Sequence, residues 1–194
     1  MLRLDPQRAG VRMPKRHVGS VSPELEGVSF TNTRFDPDLN PFGRLAAKMA
    51  AAFGYSAELH GDRRLLQLLR LRVAQINPCS YCLILHTEVA ATIGIPPVVV
   101  AHLASWREST MFTSTERAAL EYCEALTIFD QKKFAVAHDE LRTLVAERDV
   151  AEIAAVIINM NVWTRLKLAQ GAVPVHSDST QARERHVDHR VDPE

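Results

Sequence analysis

Along most of the chain the large apolar residues recur at three- and four-residue steps, the spacing that lines one face of an α-helix. Phe42, Leu45, Ala46, Met49, Ala50 and Phe53 predict a helix over Pro41 to Phe53, with Gly54 as its stop. A Leu-dense helix follows over Asp62 to Ile76, with Arg63, Arg70 and Arg72 interspersed. The next is expected from Pro78 to Thr92, closed by Gly94. Asn77 is a favoured N-cap there, and Pro78 takes the first helical position, where its missing N–H is no loss. A short helix after Pro96-Pro97 ends near Trp106, and Thr113-Ser-Thr-Glu116 has the spacing of a capping box. The helix it opens carries Leu120, Tyr122, Cys123, Leu126 and Phe129. Beyond Asp130-Gln-Lys-Lys come a shorter helix around Asp139 to Glu147 and a long one from Asp149 to Gln170, followed by Gly171 and Pro174. No segment alternates with period two between hairpin turns, so strands have no support. The fold class is all-α.

The last helix holds Ile153, Val156, Ile157, Met160, Val162 and Trp163 around most of its circumference. Such a helix is buried on several sides, in a bundle core or against another subunit. The folded body is expected over residues 35–175. Residues 1–34, with Pro6, Pro14 and Pro23 and little periodicity, read as an extended arm; residues 176–194 read as a disordered tail, its histidines solvated.

Composition narrows the function classes. Lys plus Arg (23) balances Asp plus Glu (23), which argues against a general nucleic-acid binder. No charge-free run of roughly eighteen apolar residues marks a membrane span, and the basic opening segment lacks the apolar stretch of a secretory signal. Three cysteines do not make a disulfide framework, so a cytoplasmic protein is expected. With no Gly-rich dinucleotide fingerprint, no haem, flavin or nicotinamide cofactor is expected.

Candidate chemistry concentrates in Gln75-Ile-Asn-Pro-Cys79-Ser-Tyr-Cys82-Leu-Ile-Leu-His86. On a helix Cys82 lies about 60° round from Cys79 and His86 about 20°, so the three share a face. The two cysteine Cα atoms are then roughly 5 Å apart, within the window for a disulfide. His86 stands one turn beyond Cys82, placed to accept the thiol proton or stabilise the thiolate. Unpaired N–H groups at the helix start favour negative sulfur. These are the parts of a dithiol redox centre. The competing readings are cysteine as a small buried hydrophobe and a zinc site one ligand short of a closed tetrahedron. Cys123, alone on its helix, reads as core packing.

The stretch Leu69-Arg-Leu-Arg through Cys79-Ser-Tyr-Cys82 to His86-Thr-Glu resembles the signature of the carboxymuconolactone decarboxylase-like superfamily, on its alkylhydroperoxidase D-like branch. Trp106-Arg-Glu, the Phe112-Thr-Ser-Thr-Glu segment and Asn159-Met-Asn-Val-Trp-Thr-Arg-Leu-Lys resemble later pieces of that branch. The resemblance implies an all-helical protein that assembles into trimers or hexamers. It also implies a thiol peroxidase that reduces a small hydroperoxide at the expense of an external thiol or dithiol. Cys82 would become the sulfenic acid, Cys79 would donate the proton and resolve, and His86 would join a relay with a Glu on the preceding helix. The helix-dipole argument alone favours Cys79 as the nucleophile instead.

One departure matters: the relay Glu position is occupied by Gln67. A Gln amide holds His86 or a water by hydrogen bonds but takes up no proton near neutrality. A blander reading places Gln67 on a solvated helix face. Pro78, where the family often has Gly, stiffens the helix start. Besides the peroxidase, two alternatives remain open: a lactone decarboxylase that uses no cysteine pair, and a non-catalytic oligomer serving binding or redox sensing.

Overall fold

The structure, a computed structural model, describes residues 27–176, so the expectations for residues 1–26 and for the tail beyond 176 lie outside the described residues. Among them seven α-helices follow one another: α1 (Phe42–Phe53), α2 (Arg63–Ile76), α3 (Ser80–Thr92), α4 (Pro97–Ala101), α5 (Ser114–Ile128), α6 (Gln131–Leu144) and α7 (Glu147–Gln170). The all-α class holds, with one small addition. Strands β1 (Val28–Asn32) and β2 (Ala172–His176) pair antiparallel, Val28 opposite His176 and Asn32 opposite Ala172. No hairpin signal marks them because each strand's partner lies at the far end of the folded chain. Gly171 makes the pairing feasible: its φ of +65° ends α7, and a Cβ there would stand 2.3 Å from Thr33 Oγ1.

Two helix starts differ from expectation. Helix α6 begins at Gln131 rather than near Asp139, with the Asp130 carboxylate accepting from Lys133 N at 3.2 Å. Its first turn, Gln131-Lys-Lys, is polar, so the apolar stripe becomes visible only from Phe134 onward. Helix α3 begins at Ser80 rather than Pro78. Asn77 closes α2, its N–H bonding Val73 O at 3.0 Å, and Pro78 turns the chain so that Cys79 becomes the N-cap. The capping box of α5 forms as the spacing predicts: Glu116 N donates to Thr113 Oγ1 at 3.2 Å and Thr113 N to Glu116 Oε2 at 2.8 Å.

Helix α2 runs through the centre, in contact with α3, α5 and α7. Leu65, Leu66, Leu68, Leu69, Leu71 and Val73 are all buried; burying a Leu completely contributes about 1.5–3 kcal/mol over leaving it in water. Helix α7 packs on α1, α2, α3, α5 and α6, so much of its apolar circumference is covered within one chain, while Ile158 stays half exposed. On the side of α2 facing α5, Glu124 receives Arg72 Nε, Trp106 Nε1 and Arg107 Nη1, each at 2.8 Å. Cys123, fully buried beside it, donates weakly to Leu69 O at 3.8 Å, and burial pushes its thiol up to about 12. It is a core residue. Among the described residues no helix is long and apolar enough to cross a membrane.

Candidate active site

The two cysteines meet where α2 hands over to α3. Because Pro78 ends the turn, Cys79 adopts an extended backbone (φ −92°, ψ 100°) and its own sulfur caps α3, accepting from Cys82 N at 3.4 Å. That places the Sγ atoms 2.7 Å apart, in direct contact but beyond the about 2.05 Å of a disulfide bond, and both thiols are free. Both are nearly sealed, Cys79 at 1% and Cys82 at 2% exposure.

The contact splits the two thiols. The hydrogen bond from Cys82 is the main influence holding Cys79 below its ordinary value. Burial opposes it, while the Cys82 and Tyr81 N–H groups and the charge of Lys167 assist. Cys82, the donor in that bond, is pushed up, further by burial and by the charge on Cys79. Of the two sulfurs, Cys79 is the one that more readily carries negative charge, as the helix-dipole argument favours.

His86 and Gln67 come together as well. Gln67 is 1% exposed, which removes the solvated-face reading. Its Nε2 donates to His86 O at 2.8 Å and lies 3.1 Å from His86 Nδ1. With both amide hydrogens so used, Nδ1 accepts and the ring proton sits on Nε2. Burial, reinforced by the Arg70 charge, drives His86 down to about 3, so the ring is neutral near pH 7. In this arrangement the ring has no free lone pair for the Cys82 proton, and among the described residues no hydrogen bond joins the two. Tyr55 stands edge-on to the imidazole at 5.9 Å.

Two cations near the site fall in the stretches Leu69-Arg-Leu-Arg and Asn159 to Lys167, though neither stands out there as a site residue. Arg70, 4% exposed, binds the carbonyls of Phe53 and Gly54 at 3.1 and 2.9 Å, and burial lowers it to about 10. Lys167, in the last turn of α7, lies over the Tyr81 ring with Nζ 4.5 Å from its centre. Phe30 of β1 also packs on Tyr81, centroids 4.6 Å apart. Only the assembled fold brings either residue to the cysteines.

A cavity of about 360 Å³ opens on the Gln67 side, lined by Tyr55, Arg63, Gln67, Arg70 and Val89 among others; neither cysteine lines it. Gln67 Oε1 and Arg70 Nε are buried without a hydrogen-bond partner. Among the described residues no group of three or more His, Cys, Asp or Glu side chains is arranged to hold a metal.

Residues 43–125, from α1 through most of α5 and including Gln67, Cys79, Cys82 and His86, match the carboxymuconolactone decarboxylase family. Over that stretch, less than half of the chain, the protein is similar to this family. The chain is 29% identical to the uncharacterized protein YdfG of Bacillus subtilis (strain 168) over 121 residues, 60% of this chain and 80% of that one. The fold recurs in an Agrobacterium tumefaciens protein of unknown function, linked by name to the antioxidant defence protein AhpD. The TM-score is 0.61 and the identity 24%, over 66% of this chain and 87% of that one. It also recurs in the debrominase Bmp8, with a TM-score of 0.56 and 22% identity over 76% and 80% of the two chains. Lys167 lies outside the matched residues.

Proposed function

We propose that the protein is a thiol-dependent peroxidase in which Cys79 and Cys82 transfer two electrons to a small hydroperoxide. The observation that carries this reading is the 2.7 Å contact between two free thiols, one of them capping a helix where a thiolate is favoured. The Cys79 thiolate attacks the distal oxygen, the O–O bond breaks, and the departing alkoxide takes a proton to leave as the alcohol. Cys79 is now a sulfenic acid. Cys82 loses its proton and attacks that sulfur, the S–S bond forms, and the hydroxyl leaves as water. An external thiol or dithiol then supplies two electrons and two protons to reopen the bond.

The family resemblance gives the opposite order, with Cys82 attacking, and the position of His86 one turn beyond Cys82 favours it. That order needs the Cys82 proton to pass to Cys79 across the sulfur contact. The single variants Cys79→Ser and Cys82→Ser separate the two: after stoichiometric hydroperoxide, the one that accumulates a trappable sulfenic acid retains the attacking sulfur. In the unmodified protein the expected product is a Cys79–Cys82 disulfide with loss of two titratable thiols. Cysteines inert to hydrogen peroxide and to cumene hydroperoxide would sink the proposal. Lactone decarboxylation that survives Cys82→Ser would replace it with the lyase reading. The proposal includes a homo-oligomer, trimer or hexamer, which sedimentation tests directly.

A further inference from the structure

We propose that Lys167 is the counter-cation of the dithiol: its ammonium, lying on the ring of Tyr81, which stands between the two cysteines in sequence, stabilises the Cys79 thiolate and so sets the redox poise of the pair. This rests on the reading of Cys79 and Cys82 as a redox couple, and it gives a role to a residue of α7 that lies outside the family match.

Three features of the corner support it. Lys167 packs between Tyr81 at 4.5 Å and Trp163 at 5.8 Å, and among the described residues no Asp or Glu forms an ion pair with it. A partly buried ammonium without a carboxylate is costly unless another anion balances it. Burial lowers the Lys167 pKa, and the groups that raise it are the two cysteine sulfurs. The other buried cation nearby, Arg70 of α2, is tied to two backbone carbonyls and acts on His86. The remaining groups facing the corner are Tyr81 of α3, with Tyr55 beyond it, and the neutral His86. None supplies an anion near pH 7. The thiolate is the charge that fits.

The consequence is chemical. The reduced pair carries a thiolate and the disulfide carries no charge, so a cation that stabilises only the thiolate favours the reduced form and makes the couple more oxidising. The equilibrium that reads this is exchange with glutathione: the protein disulfide and two glutathione thiols give the dithiol and oxidised glutathione, with two electrons moving.

The test compares Lys167→Met with Lys167→Arg. In the Met variant the Cys79 titration, followed by ultraviolet absorbance of the thiolate, moves up by about one pH unit, and the glutathione equilibrium moves about tenfold toward the disulfide. Arginine restores both, which a purely structural role does not predict. A Met variant with unchanged titration and unchanged poise overturns the assignment. Should the Met variant not fold, the unmodified protein decides by reciprocity. The Lys167 ammonium pKa, read by NMR, falls on oxidation to the disulfide; the same value in both states overturns the proposal. A protein that forms no Cys79–Cys82 disulfide under any oxidant overturns the redox reading itself. One that forms it while Lys167 stays silent overturns this inference alone.

Discussion

Two polar clusters are buried against α2, and they are built on opposite plans. Around Glu124 every charge is matched: Arg72, Arg107 and the Trp106 N–H converge on one carboxylate. Around the cysteines little is matched. His86 is held neutral, Gln67 Oε1 and Arg70 Nε lack partners, and Lys167 rests on the Tyr81 ring with no carboxylate paired to it among the described residues. A closed network fixes how α2, α5 and the Trp106 turn sit together. An open one stores polar capacity that a reaction uses. Burial alone does not separate structure from chemistry; the completeness of pairing does.

The sharpest way to break the contrast is at the sulfurs. Serine at Cys79 or Cys82 abolishes the intramolecular disulfide in thiol titration, yet changes stability by about 1 kcal/mol in urea, since Ser at position 79 still caps α3. Glu124→Ala does the reverse. It leaves Arg72 Nε, Arg107 Nη1 and an indole N–H without their acceptor, while Glu121 still pairs with Arg107 and Gln75 with Arg72, and lowers stability by about 3 kcal/mol, with disulfide formation kept in the folded fraction. Gln67→Glu converts an amide that donates to His86 into a carboxyl that must keep a proton to do so. The expected cost is about 1–3 kcal/mol at neutral pH in denaturant melts. Peroxide turnover rises, by up to about 10²-fold, if proton delivery limits it; no turnover in either form favours the non-catalytic reading.

Acid separates the clusters more gently. His86 titrates at about 3 in the folded protein and near 6.5 unfolded, so between those values the unfolded chain binds more protons. Its contribution is complete above about pH 6.5 and is lost on acidification by up to about 1.4 kcal/mol per pH unit. For Glu124 burial opposes ionisation, but hydrogen bonds from Trp106 and Arg107 and the charges of Arg72 and Arg107 outweigh it, so its folded pKa is depressed. Its contribution is present above about pH 4.3 and disappears as the pH falls through the lower folded value. Stability profiles of His86→Gln and Glu124→Gln should differ from the parent in these separate windows.

Much of this layout is legible in the chain. The three-and-four spacing marks α1, α2 and α5 as helices, although Phe42 and Leu45 of the α1 stripe stay exposed, and Thr113 with Glu116 announces a helix start to the residue. The Cys79–Cys82–His86 register brings the sulfurs into contact because short-range geometry suffices. What escapes is whatever depends on distant segments. Phe30 and Lys167 reach Tyr81 only through the assembled sheet and α7, and β1 pairs with β2 across the whole domain. Gln67 carries two local readings, and only packing against α3 selects between them. The start of α3 moved for a local reason: Asn77 satisfies the end of one helix before it is free to begin another.

That displaced start has a consequence of its own. Because sulfur rather than oxygen caps α3, the cap weakens when Cys79 surrenders its charge, whether to a proton or to its neighbour. A side-chain cap is worth about 1 kcal/mol, roughly a fivefold change in how often the first turn frays. In the proposed cycle the amide of Cys82 would serve as a gauge, its hydrogen exchange expected to quicken as electrons leave the pair and to slow as they return.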